Sequence, residues 1–262
     1  MRILKLIPLV ALLLATSGCA MLQTADETRD WPADRLFNEA KTQLKAGNLD
    51  RSIELFEKLQ ARYPFGRYAQ QAQLETAYAY YKYGEPDQAV AAADRFIKMH
   101  PQHPHIDYVY YLKGLANFNR GMGLFERFKP GSVSDRDQGA TTQSFFDFET
   151  LLTRYPESRY AEDARQRMIY LRNNLAEREV LIARYYMKRG AYLAAANRAE
   201  YVVENYQKTP VMPEALELMI AAYTELGLDD LAADAMSVLE LNYPERAADG
   251  PPAPSLLERI FD

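Results

Sequence analysis

A glycine followed at one fixed interval by a proline recurs along this 262-residue chain, and that spacing constrains the fold more than any other feature. Gly47 leads to Tyr63-Pro64, Gly84 to His100-Pro101, Gly139 to Tyr155-Pro156 and Gly227 to Tyr243-Pro244, the interval being the same each time. Gly190 leads in the same count to Tyr206-Gln207, where only the proline is lost. The stretch between the two marks reads as one helix, repeated five times. Ser52, Phe56, Leu59 and Tyr63 of the first copy correspond to Ser144, Phe148, Leu151 and Tyr155 of the third. Apolar or small residues at such three- and four-residue steps share one face of a helix. The glycine ends the preceding helix where a positive φ is called for, and the proline stops the next one.

The preceding helices repeat as well. Pro64 to Gly84, Pro101 to Gly121 and Gln207 to Gly227 are intervals of equal length. Ala77, Tyr80, Gly84, Ala89 and Pro101 sit at the signature offsets of a tetratricopeptide repeat, the small residues letting two helices of a hairpin approach closely. The expected fold is therefore all-α: a tetratricopeptide-like helical-repeat solenoid of five helix-hairpin repeats.

Two departures add to this. The third repeat has two candidate glycines, Gly121 and Gly139, so an insert separates its helices, with Gly123, Pro130, Gly131 and the polar run Ser132 to Asp137 within it. Pro156 to Gly190 is much longer than the matching interval of the other repeats, with no Gly or Pro from Glu157 to Arg189. The surplus of about 14 residues predicts one continuous helix, longer by about 21 Å at roughly 1.5 Å per residue, that bridges an N-terminal set of repeats and a C-terminal pair. The organisation read from this is residues 1–18 as an export signal, 19–31 as a flexible tether, 32–156 as repeats one to three, 157–246 as repeats four and five, and 247–262 as a flexible tail.

The N-terminus reads as an address. Arg2 and Lys5 precede an apolar run from Leu6 to Ala15, and Thr16-Ser17-Gly18 lead into Cys19. Small residues before a cysteine resemble the lipobox, which implies a lipid on Cys19, cleavage before it and stable anchoring by several acyl chains. Thr16 stands where the lipobox usually has Leu. The alternative is an uncleaved anchor, but the run Leu6 to Leu22 is interrupted by Pro8 and by Thr16 to Gly18, and a span wants about 20 apolar residues. Either way the positive end keeps the N-terminus cytoplasmic and sends the body to the periplasm. Ala20, rather than Asp, after the cysteine favours the outer membrane.

Composition then excludes function classes. Lys plus Arg total 31 against 36 for Asp plus Glu, which gives no electrostatic reason to bind nucleic acid. Cys19 is the only cysteine, so there is no internal disulfide. The chain has no Gly-x-Ser-x-Gly elbow, Walker loop or His-Glu-x-x-His, so no catalytic residues are assigned. All three histidines fall in His100 to His105 among prolines, at no standard zinc spacing, so no metal and no cofactor are expected beyond the lipid. The tail Ala247 to Pro254 reads as a linker, and Ser255 to Glu258 resembles a capping box beside Leu256, Leu257, Ile260 and Phe261. Two readings stand for it, a frayed end or a short helix that docks on a partner.

The local motifs resemble the BamD family of lipoproteins of the outer-membrane β-barrel assembly machinery, from the signal to about Pro244. They are Tyr63-Pro64-Phe65-Gly66, Ala77 to Lys82, Asp94 to Ile97 followed by His103-Pro104 and Asp107-Tyr108, Ser134 to Asp137, Arg189 to Ala191, and Asn197-Arg198. The resemblance implies binding to the POTRA repeats of BamA through the C-terminal half, with Arg198 at the family's contact position. It also implies contacts with other lipoproteins of the machine and with unfolded outer-membrane β-barrel proteins. For Arg198 the alternative is a solvated surface charge.

Counting from the repeat glycines, the groove-facing positions of the first helices include Lys41, Tyr78, Tyr81, Tyr108, Tyr111 and Phe118. An aromatic groove edged by a lysine would suit a peptide ending in an aromatic residue and a carboxylate; the alternative is that these rings pack between repeats. Two other functions share the fold or the address: a periplasmic lipoprotein that scaffolds or regulates peptidoglycan synthesis, and a wall hydrolase with paired carboxylates in the groove.

Overall fold

The computed structural model describes residues 26–120 and 138–249, so Cys19, the insert from Gly121 to Asp137 and the segment 250–262 lie outside the described residues. Those described form helices and no strands. In chain order they are α1 (Ala33–Ala46), α2 (Leu49–Arg62), α3 (Arg67–Tyr83), α4 (Pro86–Met99), α5 (Ile106–Asn119), α6 (Gln138–Arg154), α7 (Ala161–Lys188), α8 (Tyr192–Asn205), α9 (Met212–Glu225), α10 (Asp229–Asn242) and the short α11 (Pro244–Asp249).

Four of the five repeat glycines close a first helix as expected. Gly47, Gly84, Gly190 and Gly227 all have positive φ. The residue after each donates its amide five residues back, Asn48 to Gln43 O, Glu85 to Tyr80 O, Ala191 to Tyr186 O and Leu228 to Tyr223 O, which satisfies a carbonyl that the helix end leaves open. Gly139 is the correction. It lies in the first turn of α6 and does not take a positive φ, because the insert places the break between helices before it.

The second helices end alike in all five copies. The amides of Tyr63, His100, Tyr155, Tyr206 and Tyr243 each bond the carbonyl four residues back, at 2.7–2.9 Å. Pro64, Pro101, Pro156 and Pro244 then bar the helical conformation at the residue before them. Where Gln207 replaces proline, Thr209 is buried and its Oγ1 donates to Tyr206 O at 2.8 Å, while Lys208 takes a φ of 63°. A side chain performs the stop there.

The buried faces follow the repeat. Ser52, Ala89, Ser144 and Ala195 are buried at one position of the repeat, and the two serines mark the register: Ser52 Oγ donates to Ala40 O and Ser144 Oγ to Gly114 O, both at 2.9 Å. With the insert of the third repeat set aside, these are the same bond in two hairpins. Gly114 is the small residue at the close approach, packed against Phe148.

The chain divides into two compact units between Ala72 and Gln73, within α3. The first buries Leu36, Ala40, Leu55, Phe56 and Leu59 with Ala69 and Ala72. Residues 26–31, the end of the expected tether, are pinned to α2: Asp26 accepts from Thr28 and Lys58 and pairs with Arg62, and Tyr63 Oη donates to Trp31 O at 3.0 Å. The second unit is organised by α7, one unbroken helix of 28 residues. Its N-terminal part places Ala164 and Leu171 in a core with Phe96, Val109, Leu112, Phe148 and Leu151. Further along, Ala176, Val180 and Ala183 pack among Ala195, Ala199, Val202, Ala215 and Ala222. α11 takes in Ala247 to Asp249, which the composition assigned to the tail.

Candidate interaction surfaces

Five of the six expected groove residues come together in the second unit, all half-buried on one core. Tyr78 and Tyr81 come from α3, and Tyr108, Tyr111 and Phe118 from α5. Lys41 belongs to the first unit, on α1, where it is half-buried and engaged with neighbours. The rings are extended by residues of α7 and the turn before it, which the sequence count did not pick out. Tyr111 stacks on Tyr160 at 4.7 Å and 15°, and its hydroxyl donates to Asp163 Oδ2 at 2.7 Å. Tyr108 lies 5.4 Å from Tyr160, Phe118 lies 5.7 Å from Tyr170, and Arg167 sits 4.9 Å over the Phe118 ring. Asn119 Nδ2 donates to Tyr81 Oη at 3.0 Å. Burial first, then the bond to Asp163, pushes the Tyr111 phenol up to about 12, and burial raises Tyr108 further still. The result is an aromatic strip with partly exposed edges and hydroxyls, apolar in body and polar at its tips.

Arg198 stands on α8 and donates from Nη1 to Glu179 Oε2 of α7 at 2.9 Å. The arginine side chain is 45% exposed and the glutamate side chain 6%, so one face of the guanidinium balances a buried charge while the other faces outward. It borders a cavity of about 520 Å³ lined by Phe145 and Phe146 of α6, Arg172 and Leu175 of α7, and Tyr201 of α8. Phe146 and Tyr201 are exposed. The Nε of Arg172 is buried without a hydrogen-bond partner. Two guanidiniums, one buried carboxylate and two exposed rings thus share one concavity, with spare donors suited to a carboxylate.

Sequence reasoning also missed a polar network inside the third hairpin. Asp147, almost fully buried, accepts from Asn117 Nδ2 at 2.7 Å and from Gln143 Nε2 at 3.1 Å. Lys113 lies between Asp94 at 2.8 Å and Asp147 at 3.2 Å; burial would lower its pKa, but Asp94 and Asp147 outweigh that and raise it. The histidines are held otherwise. His100 Nε2 bonds Gln73 Oε1 at 2.8 Å, and the rings of His100 and His103 pack 5.0 and 5.1 Å from that of Phe96. Among the described residues, no three His, Cys, Asp or Glu side chains converge as metal ligands would, and no helix is long and apolar enough to cross a membrane.

The chain matches a known family. The model of YfiO, described as an outer membrane lipoprotein, matches residues 29–239, which takes in Arg198, Lys41 and the whole aromatic strip. This chain belongs to the YfiO family. Among its relatives are proteins named outer membrane protein assembly factor BamD. That of Neisseria meningitidis serogroup B is 45% identical over 92% of both chains. That of Xylella fastidiosa strain Temecula1 is 41% identical over 91% of this chain and 83% of its own, and that of Vibrio cholerae 37% identical over 86% and 92%. YfiO membership agrees with the tetratricopeptide-type hairpins and with the lipoprotein character read from the N-terminus.

Proposed function

We propose that this chain is a protein-binding scaffold of outer-membrane β-barrel assembly that catalyses no reaction and needs no cofactor beyond the lipid on Cys19. It is anchored to the outer membrane with its body in the periplasm. Repeats four and five, residues 157–246, bind the POTRA repeats of BamA, with Arg198 at the contact. Repeats one to three, residues 32–156, engage unfolded outer-membrane β-barrel proteins, the aromatic strip from Tyr78 to Phe118 serving as their platform. Other lipoproteins of the machine are further partners. The shared name of relatives that match nine-tenths of this chain supports the role.

The observation that carries the BamA contact is the cavity beside Arg198. An arginine whose outward face is spare, a second arginine with an unused donor, and the exposed Phe146 and Tyr201 make a seat for an acidic residue flanked by apolar ones. The Glu179 partnership dictates how to test it. Arg198→Glu would set two carboxylates against each other and disturb the fold, so the informative variant is Arg198→Gln with Glu179→Gln, which removes both charges together. In a pull-down of residues 20–262 with purified POTRA repeats, the wild type is expected to bind through salt and the double variant at least tenfold more weakly. Equal binding by both would remove Arg198 from the interface. No binding by the wild type at micromolar concentrations would favour the peptidoglycan-scaffold reading.

A further inference from the structure

Among the described residues, the last hairpin lacks the cover that every earlier hairpin has. Phe56, Ala93, Phe148 and Ala199 occupy one position of the repeat, seven residues before the terminal Tyr or His of each second helix, and all are fully buried. Each shares a core with the first helix that comes after it: Phe56 with Ala69 and Ala72, Ala93 with Val109, Phe148 with Ala164, Ala199 with Met219 and Ala222. The fifth residue of this series is Met236, and it is 36% exposed. The next helix in the chain is α11, only six residues long. Met236 instead lines an apolar groove of about 280 Å³ with Ile220, Ala221, Leu239 and Ala247. One wall is fixed by Arg246, which holds the buried Glu217 through two bonds of 3.0 Å.

We propose that the occupant of this groove is the chain's own C-terminal segment, residues 255–262. Three features of the sequence single it out. Gly250-Pro251-Pro252-Ala253-Pro254 prevents α11 from growing into the missing first helix. Those same five residues extend at most about 17 Å, enough to reach along the groove beside α10, whose 14 residues span about 21 Å. Beyond them, Leu256, Leu257, Ile260 and Phe261 recur at one-, three- and four-residue steps, the spacing that puts apolar residues on one face of a helix. The segment supplies in one short stretch what a further repeat would supply in a whole helix.

Cysteine trapping tests this in the mature chain carrying Cys19→Ser, which leaves no other thiol. Phe261→Cys is combined with Ala221→Cys in the groove or, as reference, with the exposed Ser237→Cys on α10. The expected result is a disulfide within one chain that forms faster in the groove pair than in the reference pair, at a rate independent of protein concentration. Equal rates in the two pairs would overturn the proposal. A disulfide between two chains that grows with concentration would overturn it too, by assigning the groove to a second copy. In the unmodified background, Leu257→Asp with Ile260→Asp is expected to raise binding of an apolar fluorescent dye while far-ultraviolet dichroism holds; unchanged dye binding would count against the segment. None of these readouts involves a partner, so failure here leaves the assembly reading untouched.

Discussion

Gly114 of α5 lies directly against the ring of Phe148 on α6: a methyl group placed on Gly114 would come within 2.5 Å of Phe148 Cε1. The hairpin with the long insert is thus one whose helices approach tightly, and Ser144 reaches the Gly114 carbonyl from the same side. Gly114→Ala is therefore expected to overpack this core and destabilise the fold by about 1–3 kcal/mol. Denaturant unfolding of the wild type, Gly114→Ala and Gly114→Ala with Phe148→Leu checks it. The double variant should recover part of the loss, and an unchanged midpoint for the single variant would show that the ring simply swings aside.

Ser52 and Ser144 make the same bond in two hairpins. Replacing either by Ala removes a buried hydrogen bond to the facing helix, at a cost of about 1 kcal/mol each. Because the two serines share no partner, the double variant should lose the sum. Urea titrations of the three variants give the answer, and a double loss well below the sum would mean that the two sites are coupled.

What the sequence disclosed and what it withheld divide along physical lines. Helix ends depend on local chemistry, so Gly47, Gly84, Gly190 and Gly227 could be placed by counting, and α7 arises from a run that nothing interrupts. Gly139 misled the count because a residue type marks a needed conformation only when the chain must turn there, and the insert moves the turn. The stop at Tyr206 was placed by the same count, but not the threonine hydroxyl that stands in for the proline there. Sites are harder than helices. Tyr78, Tyr81, Tyr108, Tyr111 and Phe118 could be grouped by register, whereas Tyr160, Asp163, Arg167 and Tyr170 join them only through the approach of α7. The Asp147–Asn117–Lys113 network joins α5 to α6 from the two sides of the insert, and the Glu179 partner of Arg198 likewise belongs to another helix.

The Arg198–Glu179 pair carries a stability prediction separate from binding. Arg198→Ala leaves a buried carboxylate alone and should cost about 1–3 kcal/mol, scaled down from a fully buried pair because the arginine is half exposed. Adding Glu179→Gln should return most of it. Thermal melts at neutral pH decide, and a double variant no better than the single one would mean that Glu179 contributes through more than its charge.

Glu217 should leave a mark on the pH dependence. Burial raises its pKa above the ordinary 4.5, and Arg246 offsets this only in part. A carboxyl whose folded pKa is raised favours the fold when protonated, so its contribution is fully present below pH 4.5 and is lost as pH rises through the raised value. Relative to Glu217→Gln, the wild type should thus lose stability as pH climbs above about 4.5 and through the raised pKa. Parallel stability curves for the two proteins across that window would refute the assignment.

At the other end, Asp26 gathers Thr28, Lys58 and Arg62, with the hydrogen bond from Thr28 and then that from Lys58 holding its carboxyl far below the usual range. Asp26→Ala is expected to free residues 26–31 from α2, seen as faster amide exchange at Thr28 and Trp31 with the core amides unchanged. Since the pKa is depressed, the wild-type protection should persist at neutral pH and fade as pH falls below about 4. Equal exchange in both proteins would show that the Tyr63–Trp31 contact holds the segment by itself.

The 28-residue α7 makes length a quantised variable in its lineage. One residue added near Asn173 would advance everything beyond it by about 1.5 Å and turn it by about 100°, carrying Ala176, Val180 and Glu179 off the faces where they are buried while leaving Ala164 and Leu171 in place. Only additions close to a whole number of turns, about 7 or 11 residues, keep both ends in phase. This helix can change only in strides, and descendants that alter it must do so all at once or leave its length alone.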